Sequence, residues 1–340
     1  MQSTQSATMI TFTTDGVSMG MPSNPDSPDL YRIRLQPADA GAGGPTVKYL
    51  TGPKMSHVVT GPYGHPRSRN NLAFDKVPAG DWVVGRLVPT DEGTDNEGAK
   101  LELASTETDT AAALEDLGLY SAGPVFCGTT VDLQDCQDRA DSTPWTNVTL
   151  EDGNEVSVPK PTELQCMDYV SAEIVAAPPG LPTTGGSEVV RVTDWIPGHC
   201  PGVETDARAH ETIQARDPGL APRLVAHVTE NRARVIGFLL ERVPGAREAG
   251  AADLGACRAA LARLHALGIT KGQLSRHSFL VREDGSVMIQ GPFSSSSRDA
   301  EGVEDAMRAE MESLEEVLAR SPSVFEDQAA AMLRLIGARK

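Results

Sequence analysis

Residues 222–243, PRLVAHVTENRARVIGFLLERV, constrain the fold of this chain more than any other stretch. An apolar run on each side of Asn231 reads as two strands of a hairpin turning near that residue. The surrounding pattern is mostly helical. A short strand over 189–192 precedes a polar helix over 204–216. Asp253 stands where it can N-cap a helix whose apolar positions Leu254, Cys257, Leu261 and Leu264 share one face. Gly268 ends that helix, and a loop over 270–278 and a strand over 279–281 follow. A turn at Asp284-Gly285 leads to a strand over 287–290, and helices over 299–319 and 324–338 close the chain.

The first half has a different texture. Residues 1–27 are polar and rich in Ser, Thr and Pro, which predicts a loose tail. LYRIRL (30–35) alternates as a half-buried strand does. KYL (48–50), HVVTG (57–61) and DWVVGRLVP (81–89) read as further short strands between Gly-Pro turns at 52–53 and 61–62. A short helix is expected over 109–117, a strand near 123–133, and a hairpin turning at Asp152-Gly153. AAPPGLPTTGGSE (176–188) is the best candidate for a linker or flexible loop. The expected division is therefore a tail at 1–27, a β-rich region at 28–175, a linker or loop at 176–188 and a core at 189–340.

Charge narrows the function. The formal net charge is −17, which repels nucleic-acid phosphates and anionic membranes at long range. Residues 48–76 are an exception, with Lys48, Lys54, Arg67, Arg69 and Lys76 against Asp75 alone. That island is either a solvated loop face or a local site for a phosphate. No window approaches the ~20 apolar residues of a membrane span. The 5 cysteines form no CxxC pair, and residues 1–10 lack the pattern of a signal peptide. Reduced thiols in a cytoplasmic setting are expected, with no metal and no cofactor.

The order of elements carries a resemblance. ALARLHALGITKGQLSRHSFLVREDGSVMIQGPF is similar to the segment of small fungal kinase-like proteins that reads LHxxGI, HGD, NFLV and then DF. AHVTENRARVIGFLLERVPG resembles their hinge-forming strands, with Glu241 where the hinge begins. The resemblance covers residues 185–320 and implies an α+β, bilobal protein-kinase-like fold carrying a β-rich N-terminal extension. In that family a catalytic Asp orients the substrate hydroxyl, an Asn five residues on holds a metal ion, and a second Asp binds magnesium. Here Gln273, Ser278 and Gly291 stand at those positions, and Lys271 stands at the histidine of HGD. Magnesium needs hard anionic oxygens, which an amide, a hydroxyl and a bare backbone do not supply. The resemblance also places Arg191 near the phosphate-binding lysine, with Glu204 or else Glu211 as its helix partner, although an ordinary surface pair looks the same.

Two functions follow. The first is a pseudokinase-type module that binds a partner protein without phosphoryl transfer. The second is a kinase-like scaffold repurposed in secondary metabolism, similar to the fungal arginine-using cyclodipeptide synthases that take aminoacyl-tRNA. Its phosphate-bearing substrate would meet Lys54, His65, Arg67 and Arg69, with His57, Asp81, Trp82 and Arg86 nearby. Within the loop, Ser275 or Ser278 beside His277 is on paper a nucleophile and base, whereas His265 belongs to an apolar helix face.

Overall fold

The computed structural model describes residues 12–18, 29–35, 46–52, 81–89, 101–107, 129–136, 145–149, 155–159, 172–183, 186–193, 200–272, 274–294 and 302–319. The protein is α+β and divides into two compact units, Met1–Tyr120 with Ile196–Gly198, and Ser121–Trp195 with His199–Lys340.

The first unit holds a five-stranded sheet in the order β1 (Phe12–Ser18), β2 (Asp29–Leu35), β3 (Val47–Gly52), β4 (Val84–Pro89) and β5 (Leu101–Glu107). Neighbours are antiparallel except β3 and β4, which run parallel. β1 falls inside the segment expected to be a loose tail; pairing with β2, not its own composition, makes it a strand. The alternation expected for residues 30–35 also gives way, because Arg32 and Ile33 are both buried. Lys48 on β3 has no solvent exposure. Its Nζ donates to the Trp82 carbonyl at 2.6 Å and sits 4.1 Å from the centre of the indole ring. Burial pulls this amine down to about 8, against the opposing pull of Asp81.

The second unit is organised by the hairpin. β11 (Leu224–Glu230) is buried along its whole length, and β12 (Arg234–Glu241) along all but its last residue. Asn231 and Arg232 both have positive φ, 52° and 57°, and Ala233 N–H donates to Glu230 O, a primed turn that suits the strand twist. The sheet order is β6-β11-β12-β10-β9, with β6 (Thr130–Asp132), β9 (Ala172–Ala176) and β10 (Glu188–Thr193). β6 is the one strand here that runs parallel to its neighbour, β11. Asp132 at its end accepts from Thr229 Oγ1 at 3.2 Å and from the Arg232 N–H, tying β6 to the hairpin turn. β7 (Trp145–Thr149) and β8 (Glu155–Pro159) form a separate antiparallel pair.

These pairings move the expected boundary. Residues 177–187 close a hairpin between β9 and β10, with Ala177 N–H donating to Ser187 O at 2.8 Å. Of the two readings of this stretch, linker or loop, the pairing fits the loop, and β6 and β9, assigned from sequence to the N-terminal region, are strands of the second unit's sheet.

α1 (Cys200–Arg216), α2 (Leu254–Ala266) and α3 (Val303–Ala319) fall where the periodicity places helices. α2 buries Cys257, Ala260, Leu261 and Leu264, so the predicted face gains Ala260 while Leu254 is only partly buried. Asp253 occupies the N-cap position of α2, but its side chain accepts no bond from that helix. The carboxylate instead accepts from Gly250 N–H at 2.9 Å and holds Arg247 in a two-pronged ion pair. The three short strands β13 (Arg247–Glu248), β14 (Phe279–Val281) and β15 (Val287–Ile289) form an antiparallel sheet. Phe279 and Ile289 pack with Ile213, Leu261, Leu264 and Leu314 in the principal core of this unit. The helices expected over 109–117 and 324–338, and the turn at Asp152-Gly153, lie outside the described residues. Among the described residues no helix is long and apolar enough to cross a membrane.

Candidate functional site: the loop after α2

The loop begins as the sequence implies. Gly268 takes φ 83° and lets the Ile269 N–H reach back to the Leu264 carbonyl, closing α2 with a left-handed cap. Ile269, Thr270 and Lys271 then run into the interior, each 2% exposed or less.

At Gly272 the loop meets α3. Its N–H donates to Glu310 Oε1 at 2.6 Å, while Glu310 Oε2 lies 2.7 Å from His265 Nε2. Glu310 is only 5% exposed, so both carboxylate oxygens are held by neighbours within the protein. Gly272 itself has φ 87°, and a Cβ there would fall 1.7 Å from Ser294 Oγ. Ser294 completes the clasp: its N–H donates to Thr270 O at 3.0 Å and its Oγ lies 3.4 Å from Lys271 O.

The second half of the loop is bonded to itself. Ser278, with no solvent exposure, accepts from the Ser275 N–H at 2.9 Å, and the two hydroxyls lie 3.4 Å apart. His277 turns elsewhere, placing Nδ1 3.0 Å from Glu248 Oε1 on β13. Contact with the imidazole, and then with Arg276, holds the Glu248 carboxyl below its usual range against the cost of burial. Arg276 also donates from Nε to Ala249 O at 3.1 Å, so the loop is fastened to β13 by two side chains. Ser275 thus meets the Ser278 hydroxyl, and His277 meets the Glu248 carboxylate.

Gly291 is buried and joined to Pro292 by a cis peptide bond. The next residue is gripped from α1: Asp206 Oδ1 accepts from Phe293 N–H at 3.1 Å, with Asp206 only 2% exposed. His210, one turn on, meets the Phe293 ring edge-on at 5.2 Å and shares its Nδ1 proton with Pro222 O at 3.1 Å.

Burial pushes His210 down to about 4, and the Pro222 bond opposes this only in part. Between its ordinary value of 6.5 and about 4, the unfolded chain binds a proton that the folded chain refuses. The contribution of His210 is thus complete above pH 6.5 and is lost as the pH falls toward 4, a difference of about 3 kcal/mol. Urea unfolding of wild type and His210→Asn at neutral and acidic pH checks this. The loss on acidification should shrink by about 2 kcal/mol or more in the variant. An equal loss in both proteins would exclude His210 as its source.

The remaining residues singled out by sequence are placed as follows. Arg191 is buried on β10, beside the Cys136 thiol. Burial raises that thiol to about 11, with Arg191 opposing. Glu204 does not turn to Arg191 but pairs with Arg208 on its own helix at 2.6 Å. The alternative partner, Glu211, sets Oε1 3.6 Å from His227 Nε2, where burial raises the acid and lowers the base. Trp82 is buried beneath Lys48, whereas Asp81 and Arg86 are exposed. Gln273, Lys54, His57, His65, Arg67 and Arg69 lie outside the described residues.

Glu310, Asp206, Glu248 and His210 are the residues that sequence reading missed. Glu310 carried a signal: it lies on the buried stripe of α3 with Val303, Leu314 and Leu318, where a carboxylate needs a bonded partner. Asp206 sits likewise between buried positions of α1, next to Ala207 and four residues before His210. Among the described residues, no three His, Cys, Asp or Glu side chains converge as a metal site would require. No protein-family model matches the chain, and no curated protein matches its sequence.

Proposed function

We propose that this chain is a divergent kinase-fold protein that has lost phosphoryl transfer and acts as a cytosolic, pseudokinase-type binding module. On this reading β9–β12 with α1 make the smaller lobe and α2, α3 and β13–β15 the larger, with the first unit as a β-rich extension. The succession of strand, helix, hairpin, helix, loop and strand pair in the second unit supports it.

One observation carries the functional part. Where the family it resembles holds metal through side-chain oxygens, Ser278 is buried and bonded to Ser275, and Gly291 has no side chain. The carboxylates beside these positions are engaged: Glu310 by Gly272 and His265, and Asp206 by the Phe293 N–H. A magnesium–phosphate complex needs one or two carboxylates that can turn toward it, and among the described residues Ser275, Ser278 and His277 bond to groups of the protein itself.

A thermal-shift titration with ATP in the presence and absence of magnesium tests this. No magnesium-dependent rise in melting temperature is expected. A shift of several degrees that requires the metal would overturn the reading.

A further inference from the structure

Glu211 on α1 and His227 on β11 meet inside the second unit without completing a hydrogen bond. Glu211 Oε1 is sealed from solvent and has no hydrogen-bond partner among the described residues. It lies 3.6 Å from His227 Nε2, too far for a bond between them. The His227 side chain is 2% exposed and that of Glu211 22%, so one end of the contact is buried and the other reaches water.

The second contact of the ring explains the gap. The Gly237 backbone accepts from it, which favours a proton on the imidazole. A neutral imidazole has a single N–H. Given from Nδ1 to Gly237, that proton leaves Nε2 with a lone pair facing the oxygen of an ionised carboxylate. Two acceptors do not bond, whereas a proton placed between them joins them.

The groups around the pair do not supply that proton. On α1, Arg208 draws Glu211 toward its ionised form and is itself bonded to Glu204, while His210 is turned to Pro222 and Phe293. Beside His227 in the sheet stand Phe238 on β12 and Thr130 on β6, neither of which titrates. At the turn end of the hairpin Glu230 and Arg234 are paired with each other at 3.5 Å, and Asp132 accepts from Thr229 and Arg232.

We propose that Glu211 and His227 form a proton-operated catch, in which one proton taken up between them closes the gap and seats the middle of α1 on β11. The seating reaches beyond the pair, because α1 also carries Asp206, which grips the Phe293 N–H beyond β15. Burial raises the Glu211 carboxyl, with Arg208 opposing. A carboxyl raised on folding stabilises below its ordinary value, here 4.5, and that contribution is lost as the pH rises through the raised value. The lowered His227 and His210 act in the opposite sense, so the catch is read against a variant that keeps both.

Glu211→Gln is that variant, since its amide N–H donates to Nε2 at any pH. Hydrogen exchange of the α1 amides follows the seating. At neutral pH these amides should exchange about fivefold more slowly in Glu211→Gln than in wild type. The two proteins should converge as the pH falls toward 4.5. In a His227→Phe background the same replacement should slow nothing, because the acceptor is gone. A nitrogen-15 spectrum of the wild-type imidazoles reads the catch without any substitution: at neutral pH His227 should carry its proton on Nδ1, with Nε2 bare. A neutral ring protonated at Nε2 would already be bonded to Glu211 and would overturn the proposal. So would equal exchange in wild type and Glu211→Gln, or an equal gain in the phenylalanine background.

Discussion

Gly237→Ala is expected to destabilise the second unit severely. Gly237 lies in the middle of β12, opposite Thr193 on β10. A Cβ there would fall 2.0 Å from the Val192 carbonyl oxygen and 2.8 Å from Thr193 Cα. Both obstacles are backbone of a strand paired on its other side with β9, so neither can rotate away as a side-chain tip would. Relief requires prising β10 from β12 at the centre of the sheet, a loss of about 4 kcal/mol or more, against a typical domain stability of about 5–15 kcal/mol. Gly255→Ala is the matched control. Its Cβ would meet nothing within 4 Å, and α2 should gain about 0.5–1 kcal/mol. Urea unfolding followed by far-ultraviolet dichroism compares the two. A Gly237→Ala protein within 1 kcal/mol or so of wild type would show that β10 and β12 are not this closely apposed.

The second large effect belongs to Glu310. Replacement by alanine takes from the Gly272 N–H and the His265 ring the acceptor that Glu310 supplies in a part-buried site, at a cost of about 2 kcal/mol. Glu310→Gln keeps an oxygen for Gly272 and should cost less than half as much. Hydrogen exchange separates a local from a global effect. In Glu310→Ala the Gly272 amide should lose protection before the amides of β11 and β12 do. If glutamine and alanine were equally damaging, ionisation of the carboxylate would be the essential property, and if both were harmless, α3 would not be what holds the loop.

That residue shows how far the candidate site was legible. The chain around 268–278 announces a glycine-capped helix followed by a loop poor in acids, and both features are present in the fold. The resemblance, taken as an expectation, sets Ser278 and Gly291 at the family's metal-holding Asn and Asp. It does not show where those groups point. The pairing of Ser275 with Ser278 and of His277 with Glu248 depends on a short 3-10 turn and on β13, which contributes only two residues. Residues 275 and 277 looked like a nucleophile and base because they are close in the chain. In the fold Ser275 meets Ser278 and His277 meets Glu248.

The hairpin at 224–241, the three helices and the buried face of α2, the cap at Gly268 and the turn at Asp284-Gly285 were fixed by the order of amino acids alone. Each depends on residues within a few positions of one another, so the chemistry that forms it is written locally. Tertiary structure alone decided that β6 joins β11 across nearly a hundred residues, that 177–187 closes a hairpin, and that Glu310 and Asp206 reach the loops they hold. A strand's periodicity says which face is apolar but not which edge it will meet, and a buried carboxylate finds its donor only after the helices have packed.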